Sequence, residues 1–198
     1  RRGAVVAIDP LTGGVLALVS TPGFDTNLFV NGISSADYGA LRDSLDVPLY
    51  NRAIQGQYPP GSTIKPFMAM AGLNSGLVTP ASTVRDPGWY SLPGSSHKYR
   101  DWILRIRGTG HAARVDMHMA IVESCDVYFY DLARRLTIDR MADYLRPFGF
   151  GEFTQVDTTN ERRGVLPSIR WKREAIGQPW YPGETISAGI GQGYMLAS

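Results

Sequence analysis

A single cysteine, Cys125, occurs in 198 residues, so no internal disulfide can form. The chain has no Lys/Arg block, and 20 basic against 18 acidic residues leave a net charge of +2. Phosphate binding needs clustered cations, which argues against a nucleic-acid partner. No apolar run approaches the roughly 18 residues of a membrane span. Internal repeats and low-complexity tracts are also missing. Charged residues make up only 19%, but apolar residues reach 43%, the balance of a globular chain. The length suits one sizeable core, or one domain with a subdomain.

The runs "AVVAID" (4–9) and "VLALVS" (15–20) are apolar and β-branched, and "PLTGG" separates them, which predicts a β-hairpin. Residues 21–57 suggest irregular surface with short helices, for example around "SADYGALRDSL". Apolar residues at Ile64, Phe67, Met68, Met70, Ala71 and Leu73 predict a buried helix ending at Asn74-Ser75-Gly76. Pro66 fits that helix only within about its first turn, which puts Ser62 at or near the start. Residues 77–114 lack periodicity and read as a long excursion with at most short elements. Residues 116–146 turn helical around "SCD", with Thr137 as the expected N-cap of the last helix and Pro147 and Gly149 as its stop. Residues 150–182 read as mostly loop, and "ETISAGIGQGYMLAS" as a glycine-rich turn followed by a helix. The chain opens at Arg1-Arg2-Gly3, beside a strand-like run, and closes on what looks like a helix start. It therefore reads as a piece of a longer protein, and its lack of a targeting segment says nothing about location.

"YPPGSTIKPF" (58–67) places Ser62 and Lys65 three apart at a helix start. A serine hydroxyl is a weak nucleophile until a base takes its proton. A lysine can be that base if its pKa of about 10.4 falls by roughly 3 units, or about 4 kcal/mol. Burial and a helix N-terminus push that way, and i, i+3 spacing puts both side chains on one face. The same residues also fit a capping serine and a solvated lysine. Ser-x-x-Lys is a weak signal, since Ser95 and Lys98 match it too; that copy, in "PGSSHKYRDW", reads as surface loop.

"YPPGSTIKP" resembles the Ser-x-x-Lys nucleophile motif of penicillin-binding proteins. "ESCDVYFYDLA" is similar to their second motif, "ETISAGIGQGY" to the segment before their third, and "RRGAVVAIDPLTGGVLALVSTPGFD" to their first hairpin. The resemblance covers nearly the whole chain and points to the class B, elongation-type group called penicillin-binding protein 2. It implies a mixed α/β (α+β type) penicillin-binding/β-lactamase-like serine transpeptidase domain. In that fold an antiparallel sheet is flanked by helices, and a helical subdomain carries the second motif. Residues 1–198 would be part of that domain, with 62–75 as nucleophile helix and 77–150 as excursion plus helical subdomain. Ser62 would attack a D-Ala-D-Ala stem peptide, Lys65 would accept its proton, Ser124 would relay a proton to the leaving D-alanine, and Asp126 would fill the Ser-x-Asn position. β-Lactams would acylate Ser62. Two departures stand out. Asp126 replaces the wider family's Asn, and the third motif, Lys-Thr-Gly, is absent: the lysines are Lys65, Lys98 and Lys172.

Members of that group carry an Asp/Asp/His/Cys zinc site near the cleft. The matching set here is Asp86, Asp101, His111 and Cys125, enough for a tetrahedral structural Zn²⁺. His97 is the alternative to His111, His118 reads as core or partly exposed, and a buried thiol beside surface Asp and His is the reading without metal. No cofactor is implied for acyl transfer. Trp89, Tyr90, Tyr99 and Trp102 either anchor the excursion or line a groove, and Arg105, Arg107 and Arg114 read as solvated. The implied partners are peptidoglycan stem peptides and, for the longer protein, a glycosyltransferase and other elongation-complex proteins. The implied location is the periplasmic face of the inner membrane, through an anchor outside this sequence. Open alternatives are a D,D-carboxypeptidase or β-lactamase, and a non-enzymatic β-lactam sensor or scaffold.

Overall fold

In the computed structural model, which describes residues 1–198, the chain divides into two compact units. The first comprises Arg1–Gln57, Gln155–Arg163 and Ser198. Its β1 (Gly3–Ile8) and β2 (Val15–Thr21) form the expected antiparallel hairpin, with an irregularity at Ala7/Ile8. Asp9 shapes the turn: its carboxylate accepts from the Leu11 N–H (2.9 Å) and the Thr12 hydroxyl (2.7 Å). Helix α1 (Ser35–Arg42) starts at Ser34, whose hydroxyl accepts from the Asp37 N–H. Helix α2 (Arg52–Gln55) packs on the hairpin, and the buried Arg52 guanidinium donates to the carbonyls of Asp46, Val47 and Tyr50. Val5 and Val6 point to opposite faces of the hairpin and are 63% and 47% exposed.

The second unit, Tyr58–Thr154 and Gly164–Ala197, holds the main core. Helix α3 (Lys65–Asn74) follows a 3-10 turn over Gly61–Ile64, and Pro66 falls in its first turn, as expected. The excursion contributes a second small hairpin, β3 (Trp89–Tyr90) with β4 (Tyr99–Arg100), and the short α4 (Ile103–Arg107). Next come α5 (Met117–Val122), α6 (Asp126–Leu136) and α7 (Ile138–Leu145). Helix α6 is the axis of the unit. Its buried residues include Val127, Tyr128, Phe129, Leu132, Ala133 and Leu136, because α3, α5, α7 and the later α9 all pack on it. Small hairpins and packed helices are the mixed α/β arrangement that was expected.

Three expectations fail in detail. Residues 169–176 are helical (α8, Ile169–Ile176), capped by the Ser168 hydroxyl accepting from the Trp171 N–H. The only buried residue of α8 is Lys172, so no apolar stripe marks it. The last helix, α9 (Pro182–Ala188), precedes the glycine-rich turn instead of following it. Leu196 and Ala197 instead form antiparallel bridges with Val165 and Tyr58. Thr137 stands at the start of α7, but with φ +70° its side chain makes no capping bond.

Candidate active site

The turn that carries Ser62 is fixed from two sides. Tyr58 and Ala197 exchange backbone hydrogen bonds of 2.8 Å, and the Gly61 N–H donates to the Gly191 carbonyl at 2.9 Å. Gly191 has φ +70°, and a Cβ there would lie 2.3 Å from the Gly61 oxygen, so only glycine lets the two backbones meet. The glycine-rich segment therefore braces the turn that presents Ser62. Ser62 is exposed and makes no capping bond, while Ile64 and Lys65 turn inward, with 0% and 2% exposure. The capped-helix and solvated-lysine reading is thus replaced by a presented hydroxyl and a buried amine.

The second motif lies between α5 and α6. Ser124 has φ +52°, a region that non-glycine residues rarely adopt. The Cys125 N–H is held by the Ala120 carbonyl at 2.9 Å. Asp101 reaches in from the excursion and accepts from the Asp126 and Val127 N–H groups at 2.8 and 3.1 Å, capping α6 from a distance.

These two segments converge. Lys65 Nζ donates to Asp126 Oδ1 (2.6 Å), to the Ser124 carbonyl (2.8 Å) and to Ser124 Oγ (3.0 Å). Ser124 Oγ in turn donates to Ser62 Oγ at 3.0 Å. The path from Ser62 to Lys65 therefore runs through the second serine. Burial pushes the Asp126 carboxyl above its ordinary value, while the Lys65 charge and hydrogen bond pull it back. Phe129 offers its ring 5.5 Å from Nζ.

Beside this network, His111, Cys125 and the two carboxylates of Asp86 and Asp101 bring one ligand atom each within 4.8 Å of one another. Their side chains are buried. His111 Nε2 faces the Glu123 carbonyl at 3.1 Å, which makes it the N–H side of the ring and leaves Nδ1 for the cluster. Asp86 accepts from the Gly88 N–H (2.6 Å) and the His111 N–H (2.8 Å). Burial pushes the Asp86 carboxyl up, but bonds from His111 and Gly88 outweigh it and hold the group below the usual carboxylate range. Burial, reinforced by Asp101 and Asp86, pushes the Cys125 thiol well up. Two carboxylates, a thiol and an imidazole nitrogen facing one point match the donor set of a tetrahedral cation.

His97 lies elsewhere, exposed and edge-on to Tyr99 with centroids 4.6 Å apart, and His118 is exposed. The Ser95/Lys98 copy is exposed, with Lys98 Nζ 4.1 Å from the Trp89 ring centroid. Tyr90 and Tyr99 pack against Tyr130 of α6 as anchors. Arg105 and Arg114 are exposed, and Arg107 pairs with Glu123 at 3.5 Å. Two features were not read from the sequence. Trp102 donates its indole N–H to the Ser124 carbonyl. Lys172 is buried against Glu184, with Tyr181 and Tyr194 rings at 4.6 and 5.4 Å. A lysine inside "RWKREAI" carries no visible mark of burial.

The model of the penicillin binding protein transpeptidase domain matches residues 3–198. Peptidoglycan D,D-transpeptidase MrdA of Acinetobacter baumannii is 55% identical over 198 residues, covering 100% of this chain and 29% of the relative. The crystal structure of Pseudomonas aeruginosa PBP2 superposes with a TM-score of 0.93 at 55% identity, over 100% of this chain and 44% of that one. PBP2 of Helicobacter pylori, solved in complex with MreC, gives 0.91 at 37%, over 100% and 36%. The chain thus spans less than a third of the curated relative it matches.

Proposed function

The chain belongs to the penicillin-binding protein transpeptidase family, and from that premise we propose that it carries the nucleophile and the proton relay of a peptidoglycan D,D-transpeptidase. The observation that carries this reading is the hydrogen-bonded path Ser62 Oγ–Ser124 Oγ–Lys65 Nζ. Ser62 Oγ attacks the carbonyl of the penultimate D-alanine of a stem peptide. Its proton passes along Ser124 Oγ to Lys65, in the amine form. Ser124 then relays a proton from Lys65 to the departing D-alanine nitrogen, leaving an acyl ester on Ser62. Asp126 orients Lys65 throughout. An amine of a neighbouring stem takes the acyl group, gives up its proton along the same path, and closes the cross-link. β-Lactams acylate Ser62 as mimics of the D-Ala-D-Ala bond.

Asp86, Asp101, His111 and Cys125 would hold zinc. When bound, the ion supplies charge neutralisation and ties the excursion to the second motif. Stoichiometric zinc in protein purified without chelator is the expected result; metal-free protein of full activity would reject the site. MreC, the partner of the Helicobacter pylori relative, supports elongation-complex partners for the longer protein, a glycosyltransferase among them. The same kinship supports action at the periplasmic face of the inner membrane. Within this sequence no helix is long and apolar enough to cross a membrane.

The test is a reaction of the longer protein with a D-Ala-D-Ala pentapeptide and an amine acceptor, followed by mass spectrometry. Cross-linked product with release of D-alanine supports the proposal. Hydrolysis alone, without transfer to the acceptor, would make the chain a carboxypeptidase.

A further inference from the structure

Trp102 opens α4 directly after Asp101, and its side chain is 45% exposed. A half-exposed indole needs no protein acceptor, because water can satisfy its N–H. Here Nε1–H is aimed at the Ser124 carbonyl, at 3.0 Å. That oxygen also accepts from Lys65 Nζ at 2.8 Å, so both of its lone pairs are taken. The neighbouring groups are pinned as well: Cys125 N–H by Ala120, and Asp126 and Val127 N–H by Asp101. The dipeptide Asp101-Trp102 thus secures the backbone on both sides of Cys125. Ser124 sits at φ +52° within that clamp, in a conformation its own residue type does not favour.

We infer that Trp102 is a positioning residue for acyl transfer: its indole N–H, with Lys65, holds the Ser124 carbonyl, and so aims Ser124 Oγ at Ser62. The side chain and the carbonyl of Ser124 leave the same Cα. Rotation about the Ser124 N–Cα bond carries both together, so relaxation from φ +52° with the carbonyl released moves Oγ away from Ser62 and Lys65, both 3.0 Å distant. Without the indole N–H, Lys65 alone holds the carbonyl. The inference rests on the transpeptidase reading above and adds to it a residue outside the Ser62/Lys65 and Ser124/Asp126 motifs.

The test uses the longer protein with Trp102 replaced by 3-benzothienylalanine, which keeps the bicyclic ring and puts sulfur in place of N–H. Trp102→Phe is the second variant. Progress curves with a fluorescent penicillin separate the binding constant from the acylation rate constant. A misplacement of about 1 Å costs on the order of a hundredfold in rate. The expected result is therefore an acylation rate constant about ten- to a hundredfold lower, with binding within about twofold and an unchanged melting temperature. A ring that merely packs would leave the benzothienyl variant at the wild-type rate, and that result overturns the inference. So does a loss confined to binding, which would make Trp102 a ligand contact. If Trp102→Phe fails to fold, the benzothienyl variant decides alone. Absence of a Ser62 adduct in the wild-type protein would reject the transpeptidase reading itself, and the inference with it.

Discussion

As an ammonium, Lys65 Nζ directs one N–H each to Asp126, the Ser124 carbonyl and Ser124 Oγ; in the amine form that takes the Ser62 proton, the lone pair faces Ser124 Oγ. This arrangement fixes the amine without any direct bond to Ser62 and assigns Asp126 an orienting role. Asp126→Asn keeps an acceptor at the same place and removes the charge. Its acylation rate by penicillin should stay within about tenfold of wild type, because one hydrogen bond to a charged group is worth about 1.5–3 kcal/mol and the amide retains part of it. Asp126→Ala should lose both acylation and stability, since it leaves a buried ammonium unpaired. Equal collapse in the two variants would show that the carboxylate charge itself is required. Pro-Pro-Gly, the i, i+3 spacing and the apolar face marked Ser62 and Lys65 in the sequence as candidates, but they fitted a capped helix with a solvated lysine equally well until the second motif and the family resemblance were added. The Trp102 contact was not legible there: an aromatic residue in a loop looks the same whether its N–H meets water or the Ser124 carbonyl.

At the scale of elements, α6 and the glycine-rich turn set the geometry. Helix α6 has no capping side chain of its own at Cys125, and Asp101 supplies one from 25 residues upstream of Asp126. Asp101→Ala leaves two buried N–H groups without a partner. It should lower stability by about 1–3 kcal/mol, read as a shift in the denaturant midpoint. Gly191→Ala would force a Cβ against the Gly61 oxygen. The expected outcome is an acylation rate at least about tenfold lower with a modest change in melting temperature, because the damage falls on the turn that presents Ser62. Unchanged kinetics would mean that the turn does not depend on this brace. Sequence periodicity located α3, α6 and α7, whose buried faces are apolar. It missed α8, whose one buried residue is Lys172, held by Glu184 and aromatic rings. It also placed a helix over residues that instead pair with Tyr58 and Val165, since that pairing is long-range and leaves no local mark.

For the whole molecule, the first hairpin is the informative piece. Two strands alone are marginal in water, yet both faces of this hairpin expose apolar side chains, Val5 at 63% on one and Val6 at 47% on the other. The amides of Val5, Val6 and Leu18 should exchange quickly in the 198-residue chain. They should be strongly protected in the longer protein if further strands join the hairpin there. Equal exchange in both would mean that no such strands pair with it. The family's Lys-Thr-Gly motif does not occur in this sequence, and Lys172 takes no such part, being enclosed by Glu184, Tyr181 and Tyr194.

The most direct measurement is the intact mass of the longer protein after incubation with a penicillin, followed by peptide mapping, with Ser62→Ala alongside. The account predicts a stable gain of one penicillin mass, located on the peptide that contains Ser62 and lost in the variant. A full-length protein that stays unmodified, or an adduct that persists in Ser62→Ala, would contradict it.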